Sequence, residues 1–137
     1  EAARHIEARL ASYKAVAFVR LKLESVLKRL PGVRVVSAET PRLPNTCLAL
    51  FEDLDAEDLQ EALYRLGYCV GTGAACASGT KEPSPTLLSM GYSSEEIGGS
   101  IRFSLGPEHD ESLVDSLAQT LVEWIPKLRA GSFPSRP

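Results

Sequence analysis

Cys76 stands in the middle of GTGAACASGTKEPS (residues 71–84), flanked by Ala74, Ala75, Ala77, Ser78 and Gly79. A free cysteine in a core normally has large apolar neighbours. Small ones let a chain bend and let a bulky reactant approach the sulfur. Two readings stand on these residues alone: an exposed nucleophilic thiol, or an incidental loop cysteine. At an ordinary pKa of about 8.5, only a few per cent of such a thiol is thiolate at neutral pH. No histidine lies nearby in sequence, so an activator would have to come from the fold or from the substrate complex. Arg102 is the second candidate. It alternates with Ser100 and Ser104 on one face of SIRFSL, so it either points into a polar cleft, where a guanidinium holds a carboxylate through two parallel hydrogen bonds, or faces solvent. Asn45, between Pro44 and Thr46, reads as a turn residue. Cys47 and Cys69 fall in strand-like patterns and are expected to be small buried hydrophobes. His5 and His109 are expected at the surface, and Met90 and Trp124 in core or interface packing. No Walker loop, dinucleotide fingerprint or Ser-His-Asp pattern is present.

The elements that must position these residues can be read from periodicity. Residues 1–30 contain no Pro or Gly, and Ile6, Leu10, Tyr13, Ala17 and Leu21 recur at helical spacing until Pro31-Gly32 ends the run. So long a helix in a small domain implies packing against a body beyond it. Residues 33–37 and 46–51 read as strands separated by an extended break at 41–44. Asp55 is the expected N-cap of a helix through Leu66, with Gly67 as its stop. A third strand is expected at 68–70. The segment 71–85, with three glycines and two prolines, is a loop of the length that usually serves function. Ser84-Pro85 opens one short helix and Ser93-x-x-Glu96 another. Ser100 to Leu105 alternates as a strand, and Asp110 starts a last helix that Pro126 is expected to kink. Residues 131–137 are expected to be a mobile tail. This order predicts an α+β fold, a mostly antiparallel sheet covered by helices.

Composition narrows the classes. The chain has 137 residues, 44% hydrophobic and 24% charged, which fits one folded domain and neither disorder nor a membrane span. Net charge is −3, and the acidic run Glu52, Asp53, Asp55, Glu57, Asp58, Glu61 argues against nucleic acid. The basic first thirty residues read as a solvated helix face. Three cysteines without a C-x-x-C pair make neither a disulfide framework nor a zinc site, so a reducing compartment and no metal are expected. No signal peptide or lipidation motif is seen, but the chain opens on Glu1 rather than Met, so that carries little weight.

Taken together, LPGV (30–33), RLPNT (42–46), GTGAACASG (71–79), EPS (82–84) and SIRFSLG (100–106) make the chain resemble the C-terminal small domain of the cysteine desulfurases, pyridoxal-phosphate enzymes of the class V aminotransferase family, over residues 1–130. The family segment around the active cysteine usually reads S-S-G-S-A-C-S-S-G. Here Gly71, Thr72, Ala74 and Ala77 replace serines, so hydroxyls that orient the loop are partly lost. The resemblance implies that Cys76 is the persulfide-forming nucleophile, that Arg102 holds the substrate carboxylate, and that Asn45 also binds substrate. It implies the small-domain fold of fold-type I pyridoxal-phosphate enzymes, with the long first helix packing on a large domain.

By the same resemblance, the complete enzyme converts L-cysteine to L-alanine and passes the sulfur outward on a mobile loop. The cofactor is the electron sink. The acceptor is a sulfur-accepting scaffold protein for iron–sulfur clusters, since the long loop is similar to that branch. The working form is a homodimer in the cytoplasm, or in an organelle of bacterial origin. The Schiff-base lysine, a ring-stacking histidine and the phosphate contacts belong to the large domain. Lys14, Lys22, Lys28, Lys81 and Lys127 match none of those motifs, so this chain alone is not expected to hold pyridoxal phosphate. Two rivals remain: a selenocysteine lyase, to which LPNTC and PSPTLLSMG are also similar, and a non-catalytic sulfur-relay or partner-docking module.

Overall fold

Alternation in residues 100–105 builds the centre of the sheet. β4 (Ser100–Ser104) pairs antiparallel with β2 (Thr46–Phe51), with Cys47 opposite Phe103, Leu48 opposite Arg102 and Ala49 opposite Ile101. In the computed structural model, which describes residues 6–73 and 82–133 with side chains from residue 12, β1 (Val33–Val35) flanks β2 and β3 (Gly71–Thr72) flanks β4. The order is β1-β2-β4-β3, antiparallel throughout.

Because a strand's side chains alternate, one face takes Cys47, Ala49, Phe51, Ile101 and Phe103, all buried. Over that face lie α1 (Ile6–Leu27), α2 (Ala56–Arg65) and α5 (Glu111–Arg129), with Leu23, Leu27, Leu59, Leu63 and Leu121 in the same core. Each such leucine contributes ~1.5–3 kcal/mol of burial. The opposite face has a smaller apolar cluster of Val36, Leu50, Leu87 and Ile97 under α3 (Pro85–Ser89) and α4 (Ser94–Gly98). The α+β architecture expected from the element order is therefore the one observed.

The helix starts are locally encoded. Asp55 accepts from Glu57 N at 2.7 Å. Asp110 accepts from Leu113 N at 3.0 Å. At α4, Glu96 N reaches Ser93 Oγ at 3.2 Å while Ser93 N reaches Glu96 Oε2 at 2.8 Å, a reciprocal cap. Helix α5 runs through Pro126 to Arg129. The carbonyl that loses its donor there belongs to Val122, an exposed residue where water can serve.

Three expectations are corrected. The third strand is not at 68–70. Tyr68 N donates to Leu63 O at 2.9 Å and Gln60 Nε2 to Val70 O at 2.7 Å, so these backbone groups are spent on α2. Strand pairing starts only at Gly71. Cys69, left outside a strand, is exposed rather than buried. β1 is also shorter than expected, because Ser37 adopts φ 54° and turns the chain away after Val36 N has met Leu48 O at 2.9 Å.

A buried charge cluster ties α1 to the break at 41–44. Glu24 pairs with Arg20 one turn earlier and, at 2.8 Å, with Arg42. Arg42 also donates to Ala38 O at 3.1 Å. Residues 1–5, where the long helix is expected to begin, and the tail beyond 133 lie outside the described residues.

Candidate active site

Arg102 lies on the face of β4 opposite the main core, exposed, between two buried neighbours in sequence, Ile101 and Phe103. Across the sheet it faces Leu48 on β2 and Gly71 on β3. Leu48 packs against the apolar cluster beneath α3 and α4. Arg102 thus marks where that face changes from apolar and covered to open, with Thr46 and Ser104 forming the next pair along.

Seven arginines are described with side chains, and six have an internal partner. Arg20 and Arg42 meet Glu24, Arg34 meets Glu96, and Arg65 meets Glu61. Arg29 donates to Ser25 O at 2.9 Å, and Arg129 to Glu52 O at 3.0 Å and Pro31 O at 3.1 Å. Among the arginines described with side chains, Arg102 alone has neither an ion-pair nor a hydrogen-bond partner. A guanidinium presents five donors in a planar fork, and a carboxylate matches two of them at once. Arg102 is equipped to bind an anion from outside the described residues.

The root of the cysteine segment is fastened beside it. Gly71 and Thr72 pair with Arg102 and Ile101, and Gly73 N donates to Ser100 O at 2.9 Å. Ser100 is fully buried and its hydroxyl donates to Ile97 O at 2.6 Å. A side chain on Gly73 would collide with that hydroxyl, so glycine is required for this close approach. Cys76, the predicted nucleophile, follows Gly73 by three residues and lies outside the described residues, as do Ala74, Ala75 and Ala77.

Asn45 is half-buried just before β2, where its carbonyl accepts from Leu105 N at 2.8 Å. That backbone bond sets it opposite Leu105, in register with the core-facing residues of β2 rather than with Arg102. His109 accepts from Gly106 N through Nδ1 at 2.7 Å, which closes the turn before α5. Of the two described thiols, Cys47 is buried and pushed up to about 12, first by desolvation and then by the Glu24 carboxylate. Cys69 borders an apolar cleft of about 240 Å³ with Phe103, Leu105 and Leu113. What the sequence reading missed is Gly71. It registered there only as a lost serine, whereas pairing sets it directly across from Arg102.

Pyridoxal phosphate demands a lysine amine for attachment and an anion cradle. Lys22 is held by Asp115 at 2.9 Å and Glu111 at 3.0 Å, Lys28 by Glu39 at 3.3 Å and Lys127 by Glu123 at 2.5 Å, while Lys14 is exposed. None of these stands with Arg102 on the sheet. The described residues do not fit the cofactor, and they hold no cluster of metal-ligating side chains.

Comparison with known proteins agrees with this architecture. Residues 5–117 match the aminotransferase class-V family. The chain belongs to that family. It is 38% identical over 117 residues to a cysteine desulfurase of Cereibacter sphaeroides, covering 85% of this chain and 30% of that protein. It is 35% identical over 127 residues to one of Trichormus azollae, covering 92% and 31%. Among solved structures, a NifS-like protein of Rickettsia africae superposes with a TM-score of 0.69 at 26% identity, over 87% of this chain and 29% of that one. The class-V chain therefore spans about a third of the length of the relatives it matches.

Proposed function

We propose that this class-V chain is the small domain of a cysteine desulfurase, residues 1–130, in which Arg102 binds the α-carboxylate of L-cysteine and Cys76 takes the substrate sulfur. One observation carries the reading: among the described residues the only arginine without a partner stands on the strand that also anchors the root of the Cys76 segment. Relatives that bear the name cysteine desulfurase at 33–38% identity support it.

Arg102 fixes one end of the amino acid, and the Cys76 thiolate, on a three-residue tether from Gly73, attacks the sulfur at the other end. The sulfur–sulfur bond forms as the substrate's Cβ–S bond breaks. Cβ keeps the electron pair and takes a proton, and the product is L-alanine. That cleavage needs an electron sink, which by resemblance is pyridoxal phosphate held in the rest of the enzyme. The persulfide sulfur passes to an acceptor, which the long cysteine segment suggests is an iron–sulfur scaffold protein. Phe18 and Leu21, exposed on α1, are the face that packs on the large domain, and the complete enzyme works as a dimer in the cytoplasm or an organelle of bacterial origin.

The test is made in the enzyme that contains this chain. Cys76→Ser abolishes alanine production while the cofactor's absorbance is retained. Arg102→Ala raises KM for L-cysteine about 10- to 100-fold, as expected for a lost charge-assisted contact. Alanine production that survives Cys76→Ser overturns the reading.

A further inference from the structure

Arg102 lacks any described group to hold it, yet its guanidinium lies sideways across the sheet instead of standing away from it. A Cβ placed on Gly71 would sit 3.1 Å from Arg102 Nη2 and 3.5 Å from both Cζ and Nε. The whole head of the side chain therefore occupies the space that a side chain at position 71 would fill. Directly paired residues of an antiparallel ladder project from the same face with Cβ atoms about 4.5–5.5 Å apart. Among the described residues, the positions on either side of that lane are filled. On the β2 side the paired residue is Leu48, which packs into the apolar cluster. Further along β3, the space above Gly73 is filled by the Ser100 side chain.

We propose that Gly71 is a positioning residue for the anion-binding arginine: its missing side chain is the bed that draws the Arg102 guanidinium across to β3, over the first residue of the cysteine segment. The inference rests on the desulfurase reading for its substrate and adds to it how the carboxylate is aimed relative to the thiol. A methyl group at 71 shifts the guanidinium by a few tenths of an ångström. A β-branched side chain takes its place and turns it outward.

Steady-state kinetics of Gly71→Ala, Gly71→Val, Arg102→Ala and the double variant Gly71→Val/Arg102→Ala in the complete enzyme test this. Gly71→Val is expected to raise KM for L-cysteine about tenfold with kcat within twofold, and Gly71→Ala about two- to threefold. In the Arg102→Ala background, Gly71→Val adds nothing to KM, because the group it displaces is gone. A parallel readout needs no activity: in the 137-residue chain, Gly71→Val speeds modification of Arg102 by phenylglyoxal about threefold, measured by peptide mass. If Arg102→Ala raises KM and Gly71→Val does not, the positioning role is overturned and the desulfurase reading stands. The positioning role is equally overturned if Gly71→Val raises KM as much without Arg102 as with it. If Arg102→Ala leaves KM unchanged, the carboxylate role falls and this inference with it.

Discussion

Cys47 projects from β2 into the helix-covered core, and burial pushes its thiol up to about 12. Against an ordinary value of 9.0, this is a raised folded-state pKa, so the thiol's contribution to stability is complete below pH 9 and is lost as pH rises toward 12. Denaturation midpoints of the chain are expected to fall over that range and to fall less in Cys47→Ala. Cys69 carries the same side chain but is exposed. Iodoacetamide at pH 8 is expected to alkylate Cys69 and leave Cys47 intact in the native chain, as peptide mass spectrometry would show; rapid labelling of Cys47 would contradict its placement. Neither outcome is visible in the local sequence, since both cysteines are followed by an apolar residue. The difference is that Cys47 lies inside a paired strand, with an assigned face, whereas the chain around Cys69 bonds to α2 and has no face at all.

At the scale of elements, the Glu24 cluster joins α1 to the segment that leads into β2. Two guanidiniums share one carboxylate in a largely buried setting, and the Nε atoms of both arginines lack partners. Such a cluster is only weakly stabilising as a whole, but removing its one anion leaves two buried cations facing each other. Glu24→Ala is therefore expected to lower unfolding free energy by about 3 kcal/mol in urea denaturation, and Arg42→Met to cost distinctly less. An equal cost for both would show that packing, not charge, governs this junction. The caps at Asp55, Ser93 and Asp110 were legible in advance because a cap is a local contact spanning two or three residues. The Glu24–Arg42 contact spans eighteen residues and leaves no local trace.

At the scale of the whole molecule, α1 leaves apolar groups open on its outer side. Phe18 is 60% exposed and Leu21 55% exposed on α1, whose other side supplies Val19, Leu23 and Leu27 to the core. A helix apolar on both sides needs cover on both. The described lysines are exposed or salt-bridged. Hydrogen bonds that Lys22 donates to the Asp115 and Glu111 carboxylates hold it above the ordinary lysine value, which keeps it protonated and a poor amine nucleophile. One equivalent of pyridoxal phosphate added to the 137-residue chain, followed by borohydride, is expected to leave no stoichiometric adduct in the intact mass. An adduct mapping to Lys14, Lys22, Lys28, Lys81 or Lys127 would show that the chain carries its own attachment site.

The amino-acid sequence by itself determined the helices with their caps, the two central strands, and the motif order that resembles the desulfurases. Each of these depends on period, turn chemistry or a few consecutive residues. The tertiary structure alone decided which residues face one another. A two-residue strand at Gly71–Thr72 replaced the expected one at 68–70, and that register set a bare glycine across from Arg102. Cross-strand pairing joins residues about thirty positions apart through backbone bonds that any side chain can make. The contact that aims the guanidinium therefore exists only once the sheet has formed.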